Sequence, residues 1–466
     1  DTVIKEVEKN ENVTTAPEVS KPEKPSTGGG STGGSGGGTT VTIPSVEVGS
    51  REEFNTAVEK ATVKTKIVLT ADIDLGTLDA ENPVTITIPS GKNIILDLNG
   101  KTISGALNTN GDTYYAYQIL CNNGTLTIED SGTNGKIANT NTNSYICTRT
   151  VKNTGTMTIN GGEIYSEKGN ALINVGTLTI NNGAKLTSKL MIAGGWTNGA
   201  STLDNRADLT INGGTFTSGN HVIYSGDSAA VTTINGGTFT ATDTEVLYYV
   251  SGKYVVKGGT FNKEFNERYV EDGYYIDTVN GLFVVKPTNN SAVTVSNSSE
   301  LVAAIKASTI KDVKIITVTN DITLNDTSLL TLAKNSEIIV NAGTKLTINS
   351  PIDLNGVLKI NGVVDIDTAG YIGNIGNVQV NTNASLNYNA TIIDNKITVS
   401  KPMDMQWVAY QYINGNNVIK DIKITNDLDY KGAHADPIGT SETEFSGTLD
   451  AKKEDSGSYT ISNVNI

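Results

Sequence analysis

The feature that most constrains this chain is an eight-residue stretch that occurs twice. Residues 210–217 read TINGGTFT, and residues 233–240 repeat the same letters 23 positions later. Taken alone, an Asn-Gly pair between β-branched residues predicts a two-residue hairpin turn. A verbatim repeat at this interval favours a different interpretation, in which both copies are the same corner of a repeating coil.

Related turn units occur throughout residues 124–261, and their apolar anchor residues are spaced 31, 21, 31, 23 and 22 positions apart. The anchors are Ile128, Ile159, Ile180, Ile211, Ile234 and Val256. A period just above twenty residues is typical of a solenoid, and connections between parallel strands are overwhelmingly right-handed. The sequence therefore predicts an all-β fold of right-handed parallel β-helix (β-solenoid) modules, with about three short strands in each coil.

Stacked coils bring equivalent residues to the strand spacing of a sheet, ~4.8 Å. We therefore expect two ladders of identical side chains. One is an Asn ladder at a corner, since Asn side chains bond both to backbone and to the next Asn, and the other is an internal aromatic ladder. The Asn ladder comprises Asn160, Asn181, Asn212 and Asn235, and the aromatic ladder comprises Phe216, Phe239 and Phe261.

Three segments combine a helical pattern with a following strand. SREEFNTAVEKA (50–61), NSSELVAAIKA (297–307) and DMQWVAYQYI (404–413) precede the related kernels LTADIDL, VTNDITL and ITNDLDY. The first two helical patterns begin with capping boxes, Ser50 with Glu53 and Asn297 with Glu300. Because the end of a β-helix exposes unpaired strand edges, we expect each short α-helix to cap the first coil of a module.

These signals divide the chain into four parts. Residues 1–44 are a Pro/Gly/Ser-rich linker, which we expect to be disordered. Residues 45–287 are the first β-helix module, with 258–287 as its C-terminal cap. Residues 291–400 are a shorter β-helix-like module. Residues 401–466 begin a third module that stops in mid-pattern, so we expect a fragment of a longer array.

Composition excludes several function classes. The net charge of −14 and the pI near 4.7 argue against nucleic-acid binding, and no window is apolar enough for membrane insertion. Cys121 and Cys147 lie at non-equivalent positions with no His nearby, which argues against zinc. A disulfide between them stays open, with two free thiols the favoured state. No cofactor is predicted.

The units IILDLNGKTISG (94–105) and xLTINGGTF carry a family resemblance. Residues 47–286, and more loosely 293–400, resemble the pectate-lyase-like parallel β-helix repeats of large secreted and wall-attached bacterial surface proteins. The resemblance implies an extracellular protein, at the bacterial cell surface or secreted, and says little about its ligand.

The third module carries a second resemblance. PIG (437–439), FSGTLD (445–450) and YTISNVNI (459–466) resemble a repeat common in bacterial adhesins and wall proteases. AKKEDSGS (451–458) departs from that pattern, because a short Asp-Gly-Asn-Gly turn would be usual there.

Acidic residues are the first candidates for chemistry, since β-helix lyases need calcium carboxylates and hydrolases need paired carboxylates. Asp72 and Asp74 share one side of a strand, and Asp97 follows one coil later. An aspartate equivalent to Asp72 recurs in the later modules, as Asp321 and Asp427, which favours a structural role for it. These three are therefore weak metal candidates, and no catalytic residue is predicted.

The two 31-residue intervals are more informative, because each carries about nine residues beyond an ordinary coil and must form a loop. The first contains Tyr145 and Arg149, and the second contains Trp196, Asp204 and Arg206. Aromatic faces stack on sugar rings, while Arg and Asp supply directional hydrogen bonds. These five residues are the predicted ligand-binding residues, on loops that could share one face. The competing interpretation is that Trp196 covers the flank of the solenoid.

The sequence thus favours a non-enzymatic surface protein, an adhesin or stalk that binds glycan or a host or neighbouring-cell surface protein. The first alternative is a polysaccharide lyase or glycoside hydrolase of β-helix fold, and the second is a purely structural spacer. We expect the protein to be monomeric or to self-associate as part of a longer array.

Overall fold

The computed structural model describes residues 42–78, 85–107, 118–141, 149–190, 201–242, 245–439, 444–453 and 457–465. In this part of the chain the fold is all-β with a few short helices, and the strand pairs are mostly parallel. Residues 44–466 form one compact unit. The stacked parallel sheets are compatible with the predicted parallel β-helix.

Residues 45–287 form three sheets, which we name A, B and C. Sheet A comprises Ser45–Val48, Thr65–Leu69, Asn93–Asp97, Thr125–Glu129, Thr156–Ile159, Thr177–Ile180, Asp208–Ile211, Val231–Ile234 and Lys253–Val256. Sheet B comprises Ile73–Leu78, Thr102–Leu107, Lys136–Asn139, Gly162–Lys168, Ala184–Leu190, Thr215–Ser218, Thr238–Ala241, Thr260–Phe261, Tyr274–Val279 and Leu282–Pro287. Sheet C comprises Ile86–Ile88, Leu120–Asn122, Arg149–Asn153, Asn170–Asn174, Ser201–Asn205, His221–Ser225 and Leu247–Tyr249.

The chain visits the three sheets in rotation, so each strand pairs with the equivalent strand one period later. Thr125 aligns with Thr156, and Thr156 aligns with Thr177, without a shift in register. This rotation matches the prediction of about three strands in each period. It also explains why TINGGTFT is not a hairpin: Thr215–Ser218 pairs in parallel with Thr238–Ala241, in the next period.

Both predicted ladders are present. The rings of Phe216 and Phe239 stack with centroids 4.7 Å apart, as do those of Phe239 and Phe261, and all three side chains are fully buried. In the Asn ladder each side-chain amide donates to the Oδ1 of the previous Asn. The three bonds are Asn181 to Asn160 at 2.8 Å, Asn212 to Asn181 at 2.9 Å and Asn235 to Asn212 at 2.9 Å.

A second Asn ladder, buried between sheets C and A, was not predicted. The Nδ2 atom of Asn122 donates to Asn153, that of Asn153 to Asn174, and that of Asn174 to Asn205, at 2.8, 2.8 and 2.9 Å. The amide of Asn205 donates in turn to the hydroxyl of Thr232 at 2.9 Å. Each of the four Asn closes a strand of sheet C and stands three residues before a strand of sheet A, a spacing that the sequence displays.

The described residues include three α-helices: α1 (Arg51–Lys60), α2 (Ser298–Ala307) and α3 (Pro402–Ile413). Ser50 caps α1 by accepting from the Glu53 amide, and the Glu53 carboxylate returns to the amide of Gly49 rather than to that of Ser50. The helices α1 and α2 each bury one apolar face, which carries Phe54 in α1. Two short 3-10 helices occur at Glu267–Tyr269 and Ile375–Asn377.

The end of the first segment changes the direction of pairing. Leu282–Pro287 runs antiparallel both to Thr260–Phe261 and to Tyr274–Val279. This hairpin lies at the edge of sheet B, in the stretch for which a C-terminal cap was expected. It ends the parallel stacking of that sheet.

Residues 289–462 continue with smaller sheets. Sheet D comprises Asn289–Val295, Asp312–Val318, Glu337–Val340, Val357–Ile360 and Val378–Val380; sheet E comprises Ile322–Leu324, Lys345–Ile348, Val363–Ile366 and Ser385–Tyr388; sheet F comprises Leu330–Leu332, Pro351–Leu354 and Tyr371–Gly373. Sheet G comprises Ile392–Ile393, Lys396–Val399, Asp421–Ile424 and Thr448–Asp450, and sheet H comprises Leu428–Asp429 and Ile461–Ser462.

Buried apolar side chains form two clusters. The first runs from Val48 to Val285 and fills the space between sheets A, B and C. The second runs from Val295 to Ala433 and includes residues of α3 and of the strand Asp421–Ile424. The part of the chain after residue 401 therefore shares its core with the segment before it.

Candidate functional site

Each of the two 31-residue intervals contains one strand of sheet C. These strands are Arg149–Asn153 and Ser201–Asn205, and both pair with the strand Asn170–Asn174, which lies between them in the sheet. Tyr145 and Trp196 lie outside the described residues. Of the predicted ligand-binding residues, the structure thus places Arg149, Asp204 and Arg206 in or directly beside one sheet.

Asp204 and Arg206 form an ion pair at the end of their strand. The Nε atom of Arg206 lies 3.2 Å from Oδ1 of Asp204, and its Nη2 atom lies 3.1 Å from Oδ2. The side chain of Asp204 is 2% exposed, whereas that of Arg206 is 42% exposed. Because the guanidinium binds the carboxylate through two nitrogen atoms, the pair has a fixed geometry, with the arginine on the solvent side.

Two tyrosines that were not predicted as ligand-binding residues lie in the strands next to this ion pair. Asp204 aligns with Tyr224 in the next strand, and Tyr224 aligns with Tyr248 in the one after that. The two rings stack with centroids 5.6 Å apart. Burial and the nearby Asp204 carboxylate raise the pKa of Tyr224, which keeps its hydroxyl protonated at neutral pH. The sequence signal is the Tyr at equivalent positions of HVIYS and VLYYV.

The aromatic surface continues beyond Tyr248. The ring of His221 lies 4.2 Å from that of Tyr248, and burial lowers the pKa of His221, so this imidazole is neutral at pH 7. The guanidinium of Arg268 stands 4.9 Å over the ring of Tyr249 and 5.1 Å over that of Tyr269. We name Asp204, Arg206, His221, Tyr224 and Tyr248 the sheet C surface; Tyr249 directly follows Tyr248 in its strand, so Tyr249 and Arg268 are not part of it.

Arg149 lies at a distance from this cluster. It begins its strand and aligns with Asn170, whose side-chain oxygen accepts a bond from the amide of Ser201. Ser201 in turn aligns with His221. Arg149 is therefore on the same sheet as Asp204, two strands away.

The acidic candidates do not form one site. The carboxylate of Asp72 accepts from the amide of Thr102, and that of Asp74 accepts from the amide of Gly76. Asp97 forms a 2.8 Å ion pair with Lys66. Within the described ranges, no group of three or more His, Cys, Asp or Glu side chains is arranged to hold a metal ion.

The contacts of Asp97 favour its ionised form. Burial opposes its ionisation, but bonds from Lys66 and from the Ser131 and Asn99 amides outweigh burial and lower its pKa. A glycosidase acid would need the opposite shift. Cys121 is partly buried, and burial raises the pKa of its thiol. Cys147 lies outside the described residues, so the choice between a disulfide and two free thiols stays open.

Comparisons with known proteins return no match: no family model, no curated protein and no solved structure is significantly similar to this chain. In the part of the chain that the structure describes, no helix is long and apolar enough to cross a membrane. Function must therefore be argued from the surface of the protein itself.

Proposed function

We propose that this chain is a non-enzymatic, extracellular β-solenoid of a bacterial surface, an adhesin or stalk whose modules are right-handed parallel β-helices. The sheet C surface binds glycan, and the stacked coils supply reach. The observation that carries this proposal is the alignment of the Asp204–Arg206 pair with the stacked rings of Tyr224 and Tyr248 on one sheet.

The chemistry of that alignment suits a sugar chain. Tyrosine offers an apolar ring with a hydroxyl at its edge, and an exposed guanidinium donates several directed hydrogen bonds. The rows recur at the strand spacing, so an extended oligosaccharide lying across the strands meets a ring or a charged group at each step. Trp196, a predicted ligand-binding residue, precedes the sheet C strand Ser201–Asn205 in the chain.

Two features support binding rather than turnover. Asp97, the buried acidic candidate, is held ionised by Lys66 and backbone amides, so it is a poor proton donor. Asp72 and Asp74 bind backbone amides of neighbouring strands and turns. Asp72 and Asp74 line one small cleft, and each is bound to a backbone amide there.

A glycan array probed with the full chain and its variants tests the proposal. Arg206→Ala and Tyr248→Ala are each expected to weaken binding of the retained glycans about tenfold, or about 1.4 kcal/mol. Lys189→Ala is the matched control, because Lys189 is a similarly exposed cation on sheet B, paired with Glu167. Thermal unfolding verifies that each variant keeps its fold.

Three outcomes contradict the proposal. A featureless array for the wild type would favour the spacer, and binding that neither variant affects would move the site away from sheet C. New reducing ends or unsaturated products after incubation with acidic polysaccharides would favour the enzyme instead.

A further inference from the structure

A second candidate site lies where the second and third segments meet. A cleft of about 740 Å³ opens between the corner of sheets E and F, the start of α3 and the turn 429–432. Its walls include Asn325, Asn349, Tyr371, Lys401, Tyr430 and Lys431. This volume is within the range of pockets that hold small ligands, and the cleft is far from sheet C in sequence.

Two lysines, Lys401 and Lys431, line this cleft, and neither forms an ion pair among the described residues. The Nζ atom of Lys401 donates to the carbonyl of Thr368 at 3.2 Å and stands 5.3 Å over the ring of Tyr388. Neither contact neutralises its charge. With Lys306, which pairs with Asp326, three lysines surround the cleft against the two carboxylates of Asp326 and Asp429, in a chain whose net charge is −14.

The two carboxylates in the same walls are already engaged. Asp326 forms a 2.7 Å ion pair with Lys306 and accepts from Ser328, and these contacts lower its pKa. Asp429 accepts from the amide group of Asn463 and from the backbone N–H of Lys431. Asp326 is therefore neutralised by Lys306, whereas Asp429 keeps its charge beside Lys431, so Lys401 and Lys431 together exceed the one carboxylate that has no ion-pair partner among the described residues.

The backbone of Lys431 supports a role for its side chain. Its φ is +53°, in the left-handed region, and the other non-glycine residues of the described chain with positive φ are Asn or Asp. Asn adopts this conformation more easily than Lys, because its short polar side chain bonds locally. A lysine here carries a backbone cost that a structural turn does not need, which is typical of functional positions.

The remaining walls offer neutral polar and aromatic groups. The Nδ2 atom of Asn349 donates to Oδ1 of Asn325 at 2.9 Å, and the rings of Tyr371 and Tyr430 meet edge to face at 5.8 Å. The geometry points to a ligand with one negative group and several hydroxyls: an anionic saccharide unit whose carboxylate or sulfate binds Lys401 and Lys431. Its hydroxyls then contact the Asn325–Asn349 edge.

Calorimetric titration of the full chain with three probes tests this inference. N-acetylneuraminate carries a carboxylate, a galactose sulfate ester carries a sulfate, and galactose is the neutral reference. At least one anionic probe is expected to bind about tenfold more tightly than galactose, and which one binds separates the carboxylate from the sulfate. Equal binding of all three, or no binding at concentrations on the order of 1 mM, would overturn the inference.

Variants locate the site. Lys401→Gln and Lys431→Asn are each expected to weaken the anionic probe about tenfold. Lys431→Asn suits the left-handed backbone, so its thermal stability is expected to equal or exceed that of the wild type. Lys423→Gln is the control, because Lys423 is an exposed lysine on sheet G outside the cleft. Binding unchanged in both test variants, or lost equally in Lys423→Gln, would refute the assignment. Arg206→Ala is expected to leave this binding intact, which separates it from the sheet C surface.

Discussion

The two places where one segment passes to the next are held by different kinds of contact. At the first, between residues 45–287 and 289–388, the closing hairpin meets the second segment through charged side chains near the surface. At the second, between residues 289–388 and the region from Ile392 onward, buried polar groups and a shared apolar core join the two sides. The first segment ends in its own antiparallel hairpin, whereas the second shares its apolar core with the third.

The first junction depends on Asp277. Its carboxylate accepts from Lys286 of its own hairpin at 2.8 Å and from Lys311, just after α2, at 2.6 Å. The apolar clusters on the two sides are separate. Surface ion pairs contribute little, typically 0 to about 1 kcal/mol, and salt screens them. We therefore expect this junction to bend.

The second junction depends on Gln406, a buried residue of α3. Its Nε2 atom donates to the carbonyl of Ile372 at 2.9 Å and to the carboxylate of Asp436 at 2.6 Å, and its Oε1 atom accepts from the Asp436 amide. Beside it, the amide of His434 donates to the buried carboxylate of Asp353. A satisfied buried network fixes one arrangement, since every alternative leaves groups unpaired. We therefore expect this junction to be rigid.

The largest expected effect tests whether the first segment unfolds on its own. Asn174→Ala removes the bonds of this ladder residue to Asn153 and Asn205, together with its bonds to the carbonyl of Asp208 and the amide of Gly176. Losing these hydrogen bonds of a buried side chain costs about 3 kcal/mol in total. In scanning calorimetry of the full chain, we expect only the transition of residues 45–287 to fall.

Asn181→Ala is the matched control, seven residues further along the same coil. Asn181 belongs to the exposed ladder, where water replaces the lost bonds, so we expect a cost under about 1 kcal/mol. Equal losses at Asn174 and Asn181 would contradict the burial argument. A shift of both transitions by Asn174→Ala would show that the first junction transmits stability.

The second prediction tests the shared core. Gln406→Ala removes the buried bond to the carbonyl of Ile372 and both bonds to Asp436, one to its carboxylate and one to its amide, at a cost of about 2 kcal/mol. Since the network joins both segments, we expect one transition for residues 289–465 to fall as a unit. Gln379→Ala, at an exposed strand position, is expected to change stability by less than about 0.5 kcal/mol. Two separate transitions in that region would contradict the shared core and with it the expected rigidity of the second junction.

The sequence predicts the local and repeated parts of this structure and misses the parts made by distant residues. The Asn160 and Phe216 ladders follow from the period alone, because identical residues recur at a fixed offset. The buried ladder follows the same period, three residues before four successive strands of sheet A, but its Asn residues resemble ordinary turn formers. Gln406 and Asp436 belong to no repeat, so their contact depends on tertiary packing.

The candidate sites divide in the same way. Asp204 and Arg206 are two residues apart, and their pairing needs only an extended strand end. Tyr224 and Tyr248 are 24 residues apart and meet because their strands are neighbours in sheet C. The cleft with Lys401 and Lys431 combines residues from three sheets and a helix start, and no spacing in the sequence indicates it.

The smallest expected effect is that of pH on stability, and it has opposite signs at the two junctions. Hydrogen bonds from Lys286 and Lys311 lower the pKa of Asp277 to about 2, so its contribution is present above its ordinary pKa of 3.8 and is lost as pH falls toward 2. Burial raises the pKa of Asp353, so its favourable contribution is present at low pH and is lost as pH rises through that raised pKa. Acid therefore loosens the first junction and favours the second.

Amide hydrogen exchange, corrected for the intrinsic pH dependence, measures both signs in one protein. The amide of Asn289, which donates to the carbonyl of Lys311, reports on the first junction, and the amide of Asp436, which donates to the side chain of Gln406, reports on the second. We expect Asn289 to lose protection severalfold between pH ~4 and ~2, and Asp436 to gain protection as pH falls from neutral toward ~4. Asp277→Asn removes the first trend and Asp353→Asn removes the second, because an amide does not titrate. Trends of the same sign at both junctions, or trends that survive these substitutions, would show that the two junctions do not differ in the way their contacts indicate.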